Sequence, residues 1–288
     1  MTVTQMAQVA RTAPLSMLRL GRRDPILTIF AVVCGLLVLL AVFGPLLAPY
    51  PPDRTDILAS GQAPSAAHLL GTDALGRDIL SRLLAGARLS FAGPAVIVAT
   101  GSALGTALAI FSAWHGGWVD RAVARVLNVL FAAPGVLVAV LAAAIFGAGF
   151  WAPVIALSVV YVPYIARVVR SAALTERHRP YVEALALAGL PAWRICTRHV
   201  LRNVAPIIMA QATLAFGSAL MEFGAISFLG LGVQPPQAEW GVMVNDGRSE
   251  MLGGAVQQSV TAGLCIVAAV VAFNVLGERL SVRIGADQ

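Results

Sequence analysis

The sequence predicts an all-α integral membrane protein with six transmembrane helices, and three observations lead to this prediction. Hydrophobic residues fill 58% of the 288 positions before glycine is counted, whereas soluble domains reach roughly 45–50% with glycine included. Only 12% of the residues are charged, and all 20 basic side chains are arginines because the chain contains no lysine. These arginines lie between long apolar runs rather than on one soluble face, which favours a lipid bilayer over nucleic acid as the partner.

Uncharged runs place the helices, because a transmembrane helix needs about 20 apolar residues. Five such runs occur, at 26–48, 90–113, 126–166, 203–221 and 251–277. The third run has 41 residues, too many for one crossing, and glycines at 147 and 149 followed by Trp151 and Pro153 indicate a turn near its middle. The first run has 23 residues, more than the roughly 7–15 of a cleavable signal peptide, so we expect it to be retained.

The runs divide the chain into segments, with a single membrane domain as their centre. We expect a cytoplasmic tail at 1–25, a first transmembrane helix at 26–48, an outer segment at 49–89, a core of further membrane helices at 90–280 and a C-terminal tail at 281–288. Three prolines make the start of the outer segment extended. Apolar residues at helical spacing in 72–89 predict an amphipathic helix that lies on the outer surface.

The arginines also predict the orientation of the chain. If both termini are cytoplasmic, the inner segments hold fifteen arginines and the outer segments hold five. Cytoplasmic loops are enriched in arginine and lysine, so this distribution favours both termini inside.

Several activities are excluded by residue types that the chain lacks or scatters. A phosphate-binding P-loop and Schiff-base chemistry both need a lysine, so any ATP-driven role requires a partner chain. The three cysteines form no C-x-x-C motif, and the four histidines lie in different loops. We therefore predict no catalytic residue, metal site or cofactor within this chain.

The segment at about 175–203, on the expected cytoplasmic side, has the pattern of two short helices joined by a turn. Pro180 suits the first turn of a helix, Glu183 lies near its positive end, and Gly189 suits its C-terminus. Pro191 then allows a second helix to begin. A rigid projection that another protein can approach is one interpretation, and a surface helix that covers its own bundle is the other.

This segment and two others together resemble a known family. Glu183-Ala184 followed by Gly189 and Leu201 is similar to the EAA loop of ABC importer permeases. The other two segments resemble the C-type permease of dipeptide, oligopeptide and nickel importers, and they are Gly71-Thr72-Asp73-Ala74-Leu75-Gly76-Arg77-Asp78 continuing to Ser90, and Ser227-Phe228-Leu229-Gly230-Leu231-Gly232-Val233-Gln234-Pro235-Pro236 with Trp240-Gly241.

The resemblance implies an architecture and a set of partners. The fold would be a five-helix permease core with one additional N-terminal helix, in the cytoplasmic (inner) membrane of a bacterium. The partners would be a second permease of similar fold, two cytoplasmic ATPases that bind ATP and magnesium, and an extracytoplasmic substrate-binding protein. The residues that would couple this chain to the ATPases are Tyr181, Glu183, Ala184, Gly189, Trp193 and Arg194.

Four residues are candidates for the translocation path or its gate. Glu222 is the only acid inside a predicted span, where a charge costs about 2.5–3.5 kcal/mol at mid-bilayer. It would contact a cationic group of the cargo, or form a hydrogen bond between helices. Phe228, Gly230 and Gly232 would form a gate or outer lining, or a tightly packed turn, and Trp240 would anchor the chain at the membrane interface.

The function that these features favour is one permease subunit of an ATP-driven importer for di- or oligopeptides. The same importer type carrying a nickel chelate, glutathione or an opine is the alternative. An intramembrane enzyme would need paired catalytic groups at membrane depth, and the spans hold a single acid. An ion-coupled secondary transporter would need more intramembrane ionisable groups and no docking helix.

Overall fold

The computed structural model describes residues 24–286, and every regular element in that range is helical. The N-terminal tail expected at 1–25 therefore lies almost entirely outside the described residues. A 3₁₀ turn occupies Ile57–Ala59 and a π-helical turn occupies Cys196–Val200. The α-helices are α1 (Pro25–Leu47), α2 (Ile79–His115), α3 (Gly117–Phe131), α4 (Gly135–Phe146), α5 (Trp151–Arg177), α6 (Pro180–Leu187), α7 (Ala192–Ile195), α8 (Leu201–Phe228), α9 (Trp240–Asp246), α10 (Arg248–Leu252) and α11 (Gln257–Ala286).

Five helices in the described part of the chain are each long and apolar enough to cross a membrane, and they are α1, α2, α5, α11 and the joined α7–α8. The pair α3–α4, bent by 74°, brings the count to the six that the sequence predicted if it forms one span. Pro134 lies at the bend and cannot donate a backbone hydrogen bond, which explains why the helix breaks there.

The 126–166 run contains two breaks instead of the single expected turn. The expected turn is present between α4 and α5, where Gly147 has a φ of +93° that other residues rarely adopt. The second break is the bend at Pro134. The bend at Pro134 was not predicted, because only the glycine-containing turn near the middle of the run was considered.

The amphipathic segment before the second crossing differs from the prediction. Residues 79–89 are the first turns of α2, continuous with its membrane-spanning part, and not a separate helix on the surface. Both its apolar and its polar sides are buried, including Ile79, Ser81, Arg82 and Ala87. The prediction was wrong because polar side chains at helical spacing were assigned to water, whereas here they have protein partners.

The five core crossings pack around α5 and α8, and α1 lies at the edge. α5 packs along α2, and α8 packs along α11, while α1 contacts only α2 and α11 extensively. Few residues of α1 are buried, among them Cys34 and Ala41. A Cβ atom on Gly44 would lie 2.2 Å from the carbonyl oxygen of Leu84, so glycine permits the close approach of α1 to α2. This is the predicted core with one additional N-terminal helix.

The two ends of the bundle are named here by what they contain. Asp24 at the start of α1 lies 3.9 Å from Arg279 near the end of α11, and we call this the termini end. Ala113 is near the C-terminus of α2, which begins at the opposite end of the bundle, so it also lies at the termini end. Arg177 at the end of α5 donates to the carbonyl of Ala113 at 2.6 Å, which places the α5–α6 junction there as well. The opposite end, where residues 49–78 and α9 lie over the start of α2, is called the cap end.

Candidate functional site

The short helix α6 begins and ends where its sequence predicts. Pro180 occupies the first helical turn and Glu183 lies in that turn, where a negative charge is favourable. Gly189 follows the helix with a φ of +80° and donates to the carbonyl of Ala186 at 3.0 Å. The next residue, Leu190, donates to the carbonyl of Leu185 at 3.2 Å, which completes the glycine-terminated helix end.

The second helix of the predicted projection is not separate from the following span. α7 continues through the π-helical turn at Cys196–Val200 into α8, so that Ala192–Phe228 forms one helical run. Ile195 and Val200 are buried and attach this run to the core. The second helix of the projection and α8 therefore form one continuous helix.

A buried carboxylate holds the projection to both of its neighbouring spans. Glu176, in the last turn of α5, is 8% exposed. Its Oε1 accepts hydrogen bonds at 2.7 Å from Tyr181 of α6 and at 2.7 Å from Asn203 of α8. Its Oε2 lies 3.1 Å from Nε of Arg179. We call Glu176, Tyr181 and Asn203 the Glu176 anchor.

The sequence analysis did not single out Glu176 or Asn203. One signal could have identified the acid, because a negative charge in the last turn of a helix opposes the helix dipole and needs a compensating partner. Tyr181 was predicted to be a coupling residue, and the structure places it in the anchor. Burial and the hydrogen bond to Glu176 raise the pKa of Tyr181 to about 12, so its hydroxyl stays a donor at neutral pH.

The remaining predicted coupling residues lie together on the exposed side of the projection. Beside them Leu187 is 90% exposed and Trp193 is 64% exposed, with the Arg194 guanidinium 5.5 Å from the indole ring. No atom lies within 4 Å of where a Cβ on Gly189 would be. We call this set the projection surface, and its members are Glu183, Ala184, Leu187, Gly189, Trp193 and Arg194.

A cavity of about 670 Å³ lies between α5 and α8 toward the termini end. Both helices contribute polar side chains to it, among them Arg167 and Glu176 of α5 and Asn203 and Gln211 of α8. Phe131, at the bend between α3 and α4, forms another part of its wall. The cavity thus joins the Glu176 anchor to the middle of the bundle.

Glu222 faces the bend at which α4 begins. A Cβ on Gly135 would lie 3.0 Å from Glu222 Oε2 and 3.3 Å from a methyl of Val160, which places the carboxylate between α4 and α5. Oε2 is shielded from solvent and has no hydrogen-bond partner among residues 24–286. The helix-to-helix hydrogen bond that was one alternative is therefore absent from the described residues.

The Phe228–Gly232 segment forms the end of α8 at the cap end. Gly230 has a φ of +76° and donates to the carbonyl of Ser227 at 2.9 Å, so it terminates the helix. Gly232 is buried, and a Cβ there would lie 2.2 Å from Ser227 Oγ. Phe228 is 37% exposed. This geometry is that of the tightly packed turn, and it does not bring these residues together with Glu222.

Trp240 is not the interface anchor that the sequence suggested. It is 1% exposed, and its indole N–H donates to the carbonyl of Leu83 at 3.0 Å. Its ring packs edge-on against Phe91, with centroids 5.7 Å apart. The indole thus fixes α9 against α2 inside the cap.

A network of buried charges holds the cap together. Arg82 is 0% exposed, and its guanidinium lies 3.7 Å from Asp73 and 3.8 Å from Asp246 of α9. Arg77 donates to Asp73 at 2.6 Å and lies 3.7 Å from Asp246. We call Asp73, Arg77, Arg82 and Asp246 the cap network. Three of its members belong to the 71–90 motif, which explains what those charged residues do in this fold.

Glu239, which directly precedes Trp240-Gly241 of the second outer motif, joins α9 to α2 in the same region of the cap. It is 1% exposed, accepts from Ser90 Oγ at 2.9 Å, and caps α9 by accepting from the backbone N–H of Val242 at 3.0 Å. Burial raises the pKa of Glu239. A Cβ on Gly241 would lie 2.3 Å from the carbonyl oxygen of Gly224, so α9 and α8 touch through backbone.

Comparison with known proteins gives two family matches. Residues 105–286 match the model described as "Binding-protein-dependent transport system inner membrane component". Residues 17–64 match "N-terminal TM domain of oligopeptide transport permease C".

Individual relatives match along nearly the whole chain. The glutathione transport system permease protein GsiD of Pectobacterium atrosepticum is 38% identical over 87% of this chain and 84% of its own length. GsiD of Escherichia coli O6:K15:H31 is 37% identical over 90% and 86%. The probable D,D-dipeptide transport system permease protein DdpC of Escherichia coli K12 is 34% identical over 89% and 86%.

Proposed function

This chain belongs to the family of inner membrane components of binding-protein-dependent transport systems, and from this premise we propose that it carries short peptides inward through the membrane. It is a permease subunit of an ABC importer. The relatives are named for glutathione and for D,D-dipeptides, which are both short peptides with free carboxylates. Di- or oligopeptides are therefore the proposed cargo, with glutathione, nickel chelates and opines as alternatives of the same importer type.

The proposed assembly supplies what this chain lacks. A second permease would complete the path, two cytoplasmic ATPases would bind ATP and magnesium, and a substrate-binding protein would deliver the cargo outside. The bacterial inner membrane is the proposed location, with both termini cytoplasmic, as the arginine distribution favours. The termini end then faces the cytoplasm and the ATPases.

The observation that carries the coupling role is the contrast between the exposed projection surface and its buried attachment. Leu187 and Trp193 leave apolar area exposed at the termini end, as a docking helix would. The Glu176 anchor joins the same helix to α5 and α8. An ATPase that moves α6 would therefore move both spans as rigid bodies, which is the type of change that drives alternating access.

The experiment measures peptide uptake and ATP hydrolysis together in the importer reconstituted with its partners. Glu183→Arg reverses an exposed charge on the projection surface, and Gly189→Val forces a β-branched residue into a left-handed conformation. Both variants should reach the membrane, and we expect each to lower the uptake per ATP hydrolysed by about tenfold, the change that about 1.4 kcal/mol of coupling free energy produces.

The matched control is Glu278→Arg, the same charge reversal at an exposed position on α11 outside the projection. It should leave the ratio of uptake to hydrolysis as in the unsubstituted protein. Unchanged coupling in Glu183→Arg would contradict the docking role. Uptake that persists with inactive ATPases would instead favour an ion-coupled transporter.

Glu222 is the proposed path contact for a cationic group such as a peptide amine. Its support is the unpartnered carboxylate oxygen beside the bend of α3–α4, because a buried acid without a partner is costly at membrane depth. Glu222→Gln should slow uptake of a peptide with a free amine more than uptake of its N-acetyl form. Equal rates for both peptides at several pH values would contradict this role. Phe228, Gly230 and Gly232 are proposed only to shape the outer end of the path.

A further inference from the structure

Arg167 lies inside a membrane-spanning helix. It precedes Arg177, the last residue of α5, by ten positions, which corresponds to about 15 Å along the helix axis. The first residue, Trp151, is at the other end of the same helix. The exposed Arg167 side chain therefore lies about three helical turns from the end of α5, in the part of the bundle that α8 also lines.

Arg170, one turn further along α5, provides an internal comparison. Its guanidinium donates to both carboxylate oxygens of Asp120 on α3, through Nε at 2.6 Å and through Nη2 at 2.5 Å. Arg167 forms no ion pair or side-chain hydrogen bond with any residue in 24–286. Its only charge-related contact there is with Phe131, whose ring centroid is 4.6 Å from the guanidinium carbon. Among the residues that the structure describes, Arg170 has a counter-charge and Arg167 has none.

Arg167 faces the 670 Å³ cavity between α5 and α8. The one acid in the cavity wall is Glu176, and its carboxylate already accepts from Tyr181 and Asn203 and pairs with Arg179. The cavity therefore has a surplus positive charge at Arg167. The neutral donors in the wall whose side chains form no hydrogen bond within residues 24–286 are Tyr164, Ser171 and Gln211.

We propose that the Arg167 cavity is an anion subsite on the cargo route, and that it takes a carboxylate of the peptide during transport. A guanidinium binds a carboxylate through two parallel hydrogen bonds, and amide or hydroxyl donors nearby would complete the ligand set. The cavity falls within the roughly 300–1,000 Å³ that small-molecule sites occupy. This inference rests on the proposed peptide-importer function and assigns it a substrate contact.

A lipid phosphate has the same chemistry and is the competing source of the anion. Arg167 opens onto polar side chains of two core helices, within a cavity large enough for a small molecule. The carboxylate of the cargo is therefore the anion that fits the walls of the site. A carboxylate from the second permease is a further source that the experiment distinguishes.

The test uses the complete importer in vesicles of phosphatidylcholine alone and of phosphatidylcholine with phosphatidylglycerol. The cargo probes are the dipeptide Ala-Ala and its C-terminal amide, which lacks the carboxylate. The variants are Arg167→Gln, Arg167→Lys and the control Arg125→Gln, which removes a positive charge from the exposed side of α3 without altering the cavity wall. The measured quantity is the uptake rate of each variant relative to the unsubstituted importer, taken separately for each probe.

We expect Arg167→Gln to lower the relative uptake of Ala-Ala by about tenfold, because an interaction between charged groups is lost. The relative uptake of the amide should change by less than twofold, in both lipid mixtures. Arg167→Lys should recover part of the difference between the probes, and Arg125→Gln should show none. The preference of the binding protein cancels, because the same binding protein delivers each probe to every variant.

An equal loss for both probes would overturn the proposal and would indicate a carboxylate of the second permease or a structural role. A loss that appears only with phosphatidylglycerol would overturn it in favour of a lipid phosphate. No change in either probe would also overturn it. Failure of the unsubstituted importer to take up either probe would contradict the proposed function itself, which is a different result from a failure of the Arg167 site alone.

Discussion

At the cap end, polar side chains are buried and meet several partners each, whereas at the termini end the projection keeps apolar side chains in the open. Arg82 and Glu239 are almost completely buried under residues 49–78 and α9. Leu187 and Trp193 are more than half exposed on α6 and α7. The cap end thus groups several buried charged side chains around the start of α2, while the projection combines one buried carboxylate, Glu176, with exposed apolar side chains.

The cap and the projection are also joined to the bundle by different numbers of polar contacts. The cap is joined to α2 by the cap network, by Ser90 with Glu239, and by the indole of Trp240. Within residues 24–286 the projection is joined to α5 through the Glu176 anchor, together with a few buried apolar side chains such as Val182. The cap thus has more polar attachments to the bundle than the projection has.

The largest effect on stability should follow from removing the central cation of the cap. Arg82→Met leaves the carboxylates of Asp73 and Asp246 close together with one cation fewer. Removing one partner of a buried ion pair costs about 3–5 kcal/mol. The unfolding free energy of the purified chain in detergent should fall by that amount.

The control for this variant is Arg54→Met, which removes an exposed arginine from the same outer segment. It should change the stability by less than about 0.5 kcal/mol. If the two variants unfold alike, the cap network does not hold the cap, and the contrast between the two ends loses its basis.

Two glycines with similar backbone conformations, one at each end, allow the packing of the cap to be compared with that of the projection. Gly76 in the cap has a φ of +73°, and a Cβ there would lie 1.7 Å from the carbonyl oxygen of Asp56. Gly189 in the projection has a φ of +80° and no atom within 4 Å of a Cβ. Alanine in a left-handed conformation costs about 1–2 kcal/mol, and overpacking adds roughly 1–3 kcal/mol. Thermal unfolding should therefore show a loss of about 2–5 kcal/mol for Gly76→Ala and of about 1–2 kcal/mol for Gly189→Ala. Equal losses would mean that the cap has room to shift.

The sequence predicted those features that depend on neighbouring residues. The number of crossings followed from apolar runs, and the bounds of α6 followed from Pro180 and Gly189, because a helix start and stop are local chemistry. The positions of Glu183 and Trp193 on one projection could be inferred for the same reason. The EAA-like and outer motifs were recognised as patterns, without the contacts that explain them.

The sequence did not predict the features that depend on residues distant in the chain. Arg82 was assigned to a surface helix because its counter-charges, Asp73 and Asp246, both lie outside α2 and helical spacing does not reveal them. Trp240 was assigned to the membrane interface because nothing local indicates that the carbonyl of Leu83 receives its N–H. Glu176 gained no role because Asn203 is 27 positions away. Burial of a polar residue is decided by its partners, and helical periodicity contains no information about them.

The smallest effect on the stability of the chain, and a large effect on its assembly, should come from Leu187→Asp on the projection surface. The side chain is 90% exposed, so the substitution removes almost no packing and should change the unfolding free energy by less than about 0.5 kcal/mol. An apolar contact residue replaced by a carboxylate should, however, prevent an ATPase from binding, because the charge would be buried at the interface. The measurement is the amount of ATPase that copurifies with the chain.

Leu58→Asp is the matched control, since Leu58 is 96% exposed in the outer segment. Normal copurification with Leu187→Asp would mean that the exposed apolar tip is not the docked surface, while loss of ATPase in both variants would indicate a general effect of the added charge. Loss in Leu187→Asp alone, with unchanged stability in both, would separate what holds this chain together from what connects it to its partners.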